Sequence, residues 1–197
     1  MRSLLANINL LRVLVDDYNP KILLLSETRT INSMTESELK ISGYKLFRCD
    51  AENRHTGGVV IYVHESISAH VVFEYKVNYI WCLAINIVRG FQNDCFCVIY
   101  RGHQNTDKDF LGFFEELCEK LASNAFVHIL GDLNYIFGRD SMSKKICSIA
   151  KTFNFKQQVK NPTRITNTTE TLIDYYFTNR KNVKCEVTDK NQIADHM

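Results

Sequence analysis

The chain has 197 residues, 45% of them hydrophobic and 23% charged, the balance of one globular domain spanning residues 1–197 with a sizeable core. Only 2 prolines and 8 glycines exclude a collagen-like or low-complexity chain. A net charge of +2 neither demands nor excludes a nucleic-acid partner, because a basic face coexists readily with an acidic pocket.

In "MRSLLANINLLRVLV", Leu4, Ile8, Leu11, Val15 and Tyr18 fall at helical spacing. Asn7, Asn9 and Arg12 break the apolar run, and no small-residue cleavage site follows. This predicts an amphipathic helix rather than a signal peptide, capped by Ser3 and ended near Asp17 by Asn19-Pro20. "KILLLSE" follows as a fully buried strand ending in Glu27. Further strands are expected at Tyr44–Cys49, at Gly57–His64, and in "AHVVFEY", "IWCLAINIV" and "CFCVIY" as an antiparallel meander with "FQND" as a turn. Thr106 caps a second helix buried through Phe110, Phe113, Phe114, Leu117 and Leu121. "FVHIL" leads to Gly131 and Asp132, a third helix covers about Ser143 to Phe153, and "TLIDYYFTN" is a last strand.

Strands outnumber helices, and the helices come singly. The pattern predicts an α/β (α+β) chain with two sheets packed face to face and helices outside, rather than one doubly wound sheet. No GxxxxGK[ST] or GxGxxG loop is present to cradle a nucleotide. The 7 cysteines form no CxxC pair and lack zinc-site spacings, which predicts reduced, mostly buried thiols in an intracellular compartment, nuclear or cytoplasmic. No segment has the length of a membrane span.

Four acids stand out: Glu27 after "ILLLS", Asp132 after "HILG", Asp174 inside "TLIDYYF", and Asp195 beside His196. An acid after a strand is ordinarily a solvated loop residue or a helix cap. Asp174 is harder to dismiss, because a carboxylate in an apolar strand needs a partner, and His196 is a candidate. Carboxylates gathered at strand ends suit a hard cation such as Mg²⁺, with Mn²⁺ as a substitute. Such a site fits phosphodiester cleavage.

"PKILLLSET", "GGVVIYV", "VIYRG", "GDLN", "NPTRIT…TLIDYYFTN" and "IADH" occur in the order and spacing of the exonuclease–endonuclease–phosphatase superfamily. The chain most resembles the endonuclease domain that non-LTR retrotransposons fuse to a reverse transcriptase. The resemblance implies a four-layer sandwich of two packed mixed β-sheets flanked by helices, a divalent metal, and DNA as substrate. It gives Glu27 and Asp195 to the metal, and Tyr100 to the scissile phosphate. Asp132 orients or deprotonates the attacking water, and Asn134 holds both the phosphate and that acid. Asp174 orients His196, which acts on the phosphate. Arg164, with Thr163 and Thr171, is expected on the DNA backbone, against the plainer reading of turn and strand surface. His128 reads as structural, His55, His64, His70 and His103 as surface, and Trp81 as core.

Two departures stand out. The family opens with a strand ending in Asn-x-Arg-Ser-Leu, of which only "MRSL" is present, and Asn7 and Asn9 are expected inside the first helix. Ala194 replaces the serine of the family's Ser-Asp-His. The first and last strands are therefore expected to be missing from a fragment of a longer polyprotein. The alternatives are another phosphoesterase of the superfamily, acting on a phosphoinositide, a sphingolipid or RNA tails, and a degenerate domain that only folds or binds nucleic acid.

Overall fold

A computed structural model describes residues 3–89 and 92–188. Its elements run α1 (Leu4–Tyr18), β1 (Ile22–Ser26), α2 (Glu36–Leu39), β2 (Tyr44–Cys49), β3 (Val59–His64), β4 (Ala69–Val77), β5 (Ile80–Arg89), β6 (Gln92–Arg101) and α3 (Asp107–Leu121). They continue with β7 (Phe126–Asp132), α4 (Ser141–Thr152), β8 (Lys156–Gln157), β9 (Arg164–Ile165), β10 (Glu170–Thr171) and β11 (Asp174–Thr178).

A three-stranded antiparallel sheet, ordered β1-β3-β2, faces a six-stranded mixed sheet ordered β4-β5-β6-β7-β11-β8. In the larger sheet β6 and β7 are parallel, and the other neighbours are antiparallel. The expected meander is the run β4-β5-β6, and between β3 and β4 the chain crosses from one sheet to the other. Asn93 and Asp94 of the expected "FQND" turn already belong to β6, paired with Val88 and Ile87 of β5.

Strand alternation sorts the side chains into layers. Ile61 and Val63 of β3 meet Trp81, Leu83, Ile85, Val98 and Tyr100 between the sheets. On the far side of the larger sheet, Cys95, Cys97, Ile99, Val127 and Ile129 pack under α3 and α4. On the far side of the smaller one, Val60 and Tyr62 pack under α1. The result is four layers, helix–sheet–sheet–helix. Cys49, Cys82, Cys95, Cys97 and Cys118 are buried free thiols. No helix is long and apolar enough to cross a membrane among the described residues.

Two local expectations change. Ser3 precedes α1 but makes no side-chain cap. The first N–H groups, of Ser3 and Leu4, donate to the carbonyls of Glu27 and Thr28 at 3.3 and 2.7 Å, so the helix start is tied to the end of β1. All five residues of β1 are only half-buried, against the fully buried strand expected, because β1 pairs with β3 alone among the described strands. Asn19 ends α1 as foreseen, in the left-handed conformation that asparagine tolerates.

Candidate active site

The centre of the site is one row across the larger sheet. Tyr100 on β6 is in register with Asp132 on β7, and Asp132 with Asp174 on β11. Gly131 makes the row possible. A Cβ there would stand 1.9 Å from the Ile99 carbonyl oxygen, so only glycine lets β7 approach β6 this closely. Asp132 is 3% exposed, and its Oδ1 accepts the backbone N–H of Asn134 at 2.9 Å. Asn134 takes a left-handed backbone, φ 53°, and its Nδ2 donates to the Arg101 carbonyl at 2.7 Å. The acid and amide of "GDLN" are thus pinned to each other and to the end of β6.

The facing wall comes from the segment after β1. Thr28 and Thr30 turn inward, fully buried, with their hydroxyls 3.1 Å apart. Glu27 before them and Arg29 between them take left-handed backbones, φ 51° and 54°, which residues other than glycine rarely adopt. The segment is held by the N–H groups of Thr28 and Arg29, which donate to the carbonyls of Gly58 and Gly57. Gly57 is required because a Cβ would meet the Trp81 ring at 2.3 Å. Arg29 donates to Glu27 Oε1 at 2.9 Å.

Glu27, Tyr100, Asp132, Asn134 and Arg164 therefore line one cleft of about 200 Å³, with Arg29, His55, Thr56, His103 and Gln104 completing it. Burial pushes the Tyr100 hydroxyl up to about 12, with the charges of Glu27 and Asp132 adding to the shift and Thr56 and Arg29 opposing it. Tyr100 is consequently a hydroxyl donor at neutral pH. Both carboxylates reach it electrostatically, and Arg29 and Arg164 add positive charge to the lining.

Other expected site residues lie beside the cleft rather than in its lining. Asp174 is half-buried and borders a second cavity of about 370 Å³ with Thr163. The Thr163 hydroxyl accepts the N–H groups of Ile173 and Asp174 at 3.3 and 3.1 Å. Thr171 presents its carbonyl to the Thr163 N–H. Asp195, His196, Ala194 and the Asp174–His196 pairing lie outside the described residues.

Solved structures share this arrangement of sheets and helices. The endonuclease domain of TRAS1, a telomere-specific non-LTR retrotransposon, superposes with a TM-score of 0.75 at 15% identity, over 99% of this chain and 90% of that one. The human Nocturnin catalytic domain gives 0.69 at 14% identity, over 100% and 87%. An AP endonuclease from Archaeoglobus fulgidus gives 0.67 at 13%, over 90% and 83%. The fold is DNase-I-like. No family model and no curated protein matches the chain.

On this DNase-I-like frame the carboxylate of Glu27 is an oxygen donor that could hold a divalent cation, whose remaining shell water and substrate phosphate would fill. Among the described residues no group of three or more His, Cys, Asp or Glu side chains could hold a metal ion, so a protein-only cage is not what they offer.

His55 and His103 are exposed, as their surface reading had it, yet both line the cleft. With Arg29, Thr56 and Gln104 they are the residues the motif reading missed. Arg29 and Thr56 each stand next to or near a quoted motif, "SET" and "GGVV", and were within reach. His103 and Gln104 follow "VIYRG" but carry no motif of their own.

Proposed function

We propose that this chain is a divalent-cation-dependent phosphodiester hydrolase that nicks DNA, the endonuclease domain of a retrotransposon-derived protein working beside a reverse transcriptase. The observation that carries this reading is the convergence of Glu27, Tyr100, Asp132 and Asn134, from three separate segments, on one cleft that Arg29 and Arg164 also line. TRAS1 supplies the retrotransposon parallel, and a Danio rerio TDP2 structure with this fold holds a single-stranded DNA product.

Glu27 would hold the cation, which supplies Lewis-acid polarisation of a phosphoryl oxygen. Asp132 orients the attacking water and takes its proton. Its Oδ1 is already fixed by Asn134, so the carboxylate meets the water in one orientation. The Tyr100 hydroxyl donates to a non-bridging oxygen, where charge develops in the transition state. Arg164 neutralises a flanking phosphate. Asp195, as a second metal acid, and His196, as a stabiliser of the phosphate, keep the roles their motif implies.

The test is nicking of supercoiled plasmid with Mg²⁺. Asp132→Asn keeps an acceptor for Asn134 but cannot take a proton, and should slow nicking by about a hundredfold or more. Glu27→Gln should weaken Mg²⁺ binding measured by calorimetry. Wild-type rates in both variants would refute the assignment. A second reading, a domain that binds nucleic acid without cutting it, is favoured by the Arg29 ion pair already on Glu27. It predicts duplex binding with no nicking at any Mg²⁺ concentration.

A further inference from the structure

The β4–β5 hairpin turns through Asn78 and Tyr79, since Val77 and Ile80 are directly paired. Both turn residues are left-handed, φ 50° and 61°, as a tight hairpin between right-twisting strands requires. Asparagine is at home there. A bulky aromatic in the second position, where glycine is the ordinary choice, is an outlier. Tyr79 is also 48% exposed, so packing does not explain its presence.

The tip is tied to the cleft. The Gly102 N–H donates to the Tyr79 carbonyl at 2.8 Å, and Asn105 Nδ2 donates to the Asn78 carbonyl at 2.7 Å. The loop between these two bonds carries His103 and Gln104 into the cleft lining. That loop is fixed in turn by buried Arg101, which donates to the Asn105 carbonyl at 2.7 Å and whose guanidinium lies 4.0 Å over the Tyr135 ring. The rings also form a series. Tyr100 in the cleft wall packs on Trp81 at 5.8 Å, and Trp81 meets Tyr79 edge-on at 6.4 Å. The series ends in solvent at Tyr79, whose carbonyl anchors the loop that carries His103 and Gln104 into a cleft read as a phosphodiester site.

We propose that Tyr79 is a substrate-contacting aromatic, stacking on a base or sugar next to the phosphodiester held in the cleft. This rests on the hydrolase reading above and adds a substrate-binding element to it. A strained, exposed aromatic fixed rigidly beside a charged cleft is what such a contact needs. Stacking tolerates any base, and the hairpin backbone that carries the ring is already anchored before substrate arrives. The neighbouring cations supply the backbone contacts that stacking lacks.

The experiment measures binding of a short fluorescent DNA duplex by anisotropy. All proteins carry Asp132→Asn so that the duplex stays whole. Tyr79→Asn keeps a residue that accepts the left-handed turn while removing the ring, and should weaken binding about tenfold. Tyr79→Phe should bind like the parent. In chains with Asp132 intact, hydrolysis of bis(4-nitrophenyl) phosphate, an ester with no nucleobase or sugar, should be equal with and without Tyr79→Asn. Unchanged duplex binding by Tyr79→Asn would overturn the proposal, as would an equal loss on the small ester. A parent chain that neither binds duplex nor hydrolyses the ester would overturn the hydrolase reading itself, and this proposal with it.

Discussion

The two ends of β7 carry the same kind of anomaly and resolve it differently. His128 and Asp132 lie on the same face of one strand, four residues apart, and both are buried, 5% and 3% exposed. At the Asp132 end the neighbours are charged or hydroxylic, and the cleft opens to solvent. At the His128 end they are mostly rings, with the Thr178 hydroxyl beside them and the charges of Asp94 and Arg180 within electrostatic reach. Its imidazole stacks on Phe96 at 4.6 Å, its Nδ1 bonds the Tyr176 hydroxyl at 2.7 Å, and its Nε2 has no partner. Burial alone therefore does not mark a working residue. The partners distinguish the two: the acid borders a cleft lined by polar and charged groups, and burial disfavours the charged form of the histidine.

The change expected to break this comparison most severely strikes between the two ends. Gly131→Ala forces a methyl group into the Ile99 backbone and must part β6 from β7. A loss of about 3 kcal/mol or more is expected, the range of severe backbone and overpacking lesions. That lowers the thermal midpoint by roughly 6–12 °C for a domain of this size. Nicking should vanish, because Tyr100 and Asp132 lose their register. A melting curve within about 2 °C of wild type would show that the close approach is not needed.

Arg29→Met sharpens the acid end. The Arg29–Glu27 pair is partly exposed, 22% and 15% at the side chains, so solvent screens it to about 1 kcal/mol. Removing the guanidinium leaves Glu27 to a cation. Mg²⁺ binding by calorimetry should tighten about fivefold, while duplex DNA binding weakens through loss of a cleft cation. Unchanged Mg²⁺ affinity would mean that Arg29 does not compete for Glu27.

How much of this was legible follows from what each part is made of. The β7 wall is regular structure. Val127 and Ile129 alternate with His128 and Leu130, and the break at Gly131 announces the acid, so strand, end and site could all be read in order. The Glu27–Arg29 wall depends on two left-handed residues and on buried threonines, for which no hydrophobic period exists. His103 reaches the cleft through a tether to a hairpin far away in sequence. The two-residue strands β8, β9 and β10 are too short to carry a pattern. The one-turn helix α2 did have a signal, the Thr35–Glu38 capping box. The two packed sheets were readable because strands come in runs broken by single helices, and the four layers followed from the family resemblance. The exposure of β1 was not, because an apolar run does not say how many strands will flank it.

The smallest expected effect lies at the histidine end. Burial lowers the His128 pKa below its ordinary value, with Asp94 opposing and Arg180 reinforcing the shift. The unfolded chain, titrating near 6.5, takes up its proton before the folded one does. Stability from this residue is therefore fully present above about pH 6.5 and is lost as pH falls through the folded value, by at most about 1.4 kcal/mol per pH unit. His128→Phe keeps a ring against Phe96 and removes the titration. It forfeits the bond to Tyr176, about 1 kcal/mol, so at neutral pH the variant should melt slightly below wild type. As the buffer is taken from pH 7 to 5, the gap should close and then reverse. Parallel melting curves across that range would show that His128 does not titrate differentially, and the contrast between the two ends of β7 would then rest on geometry alone.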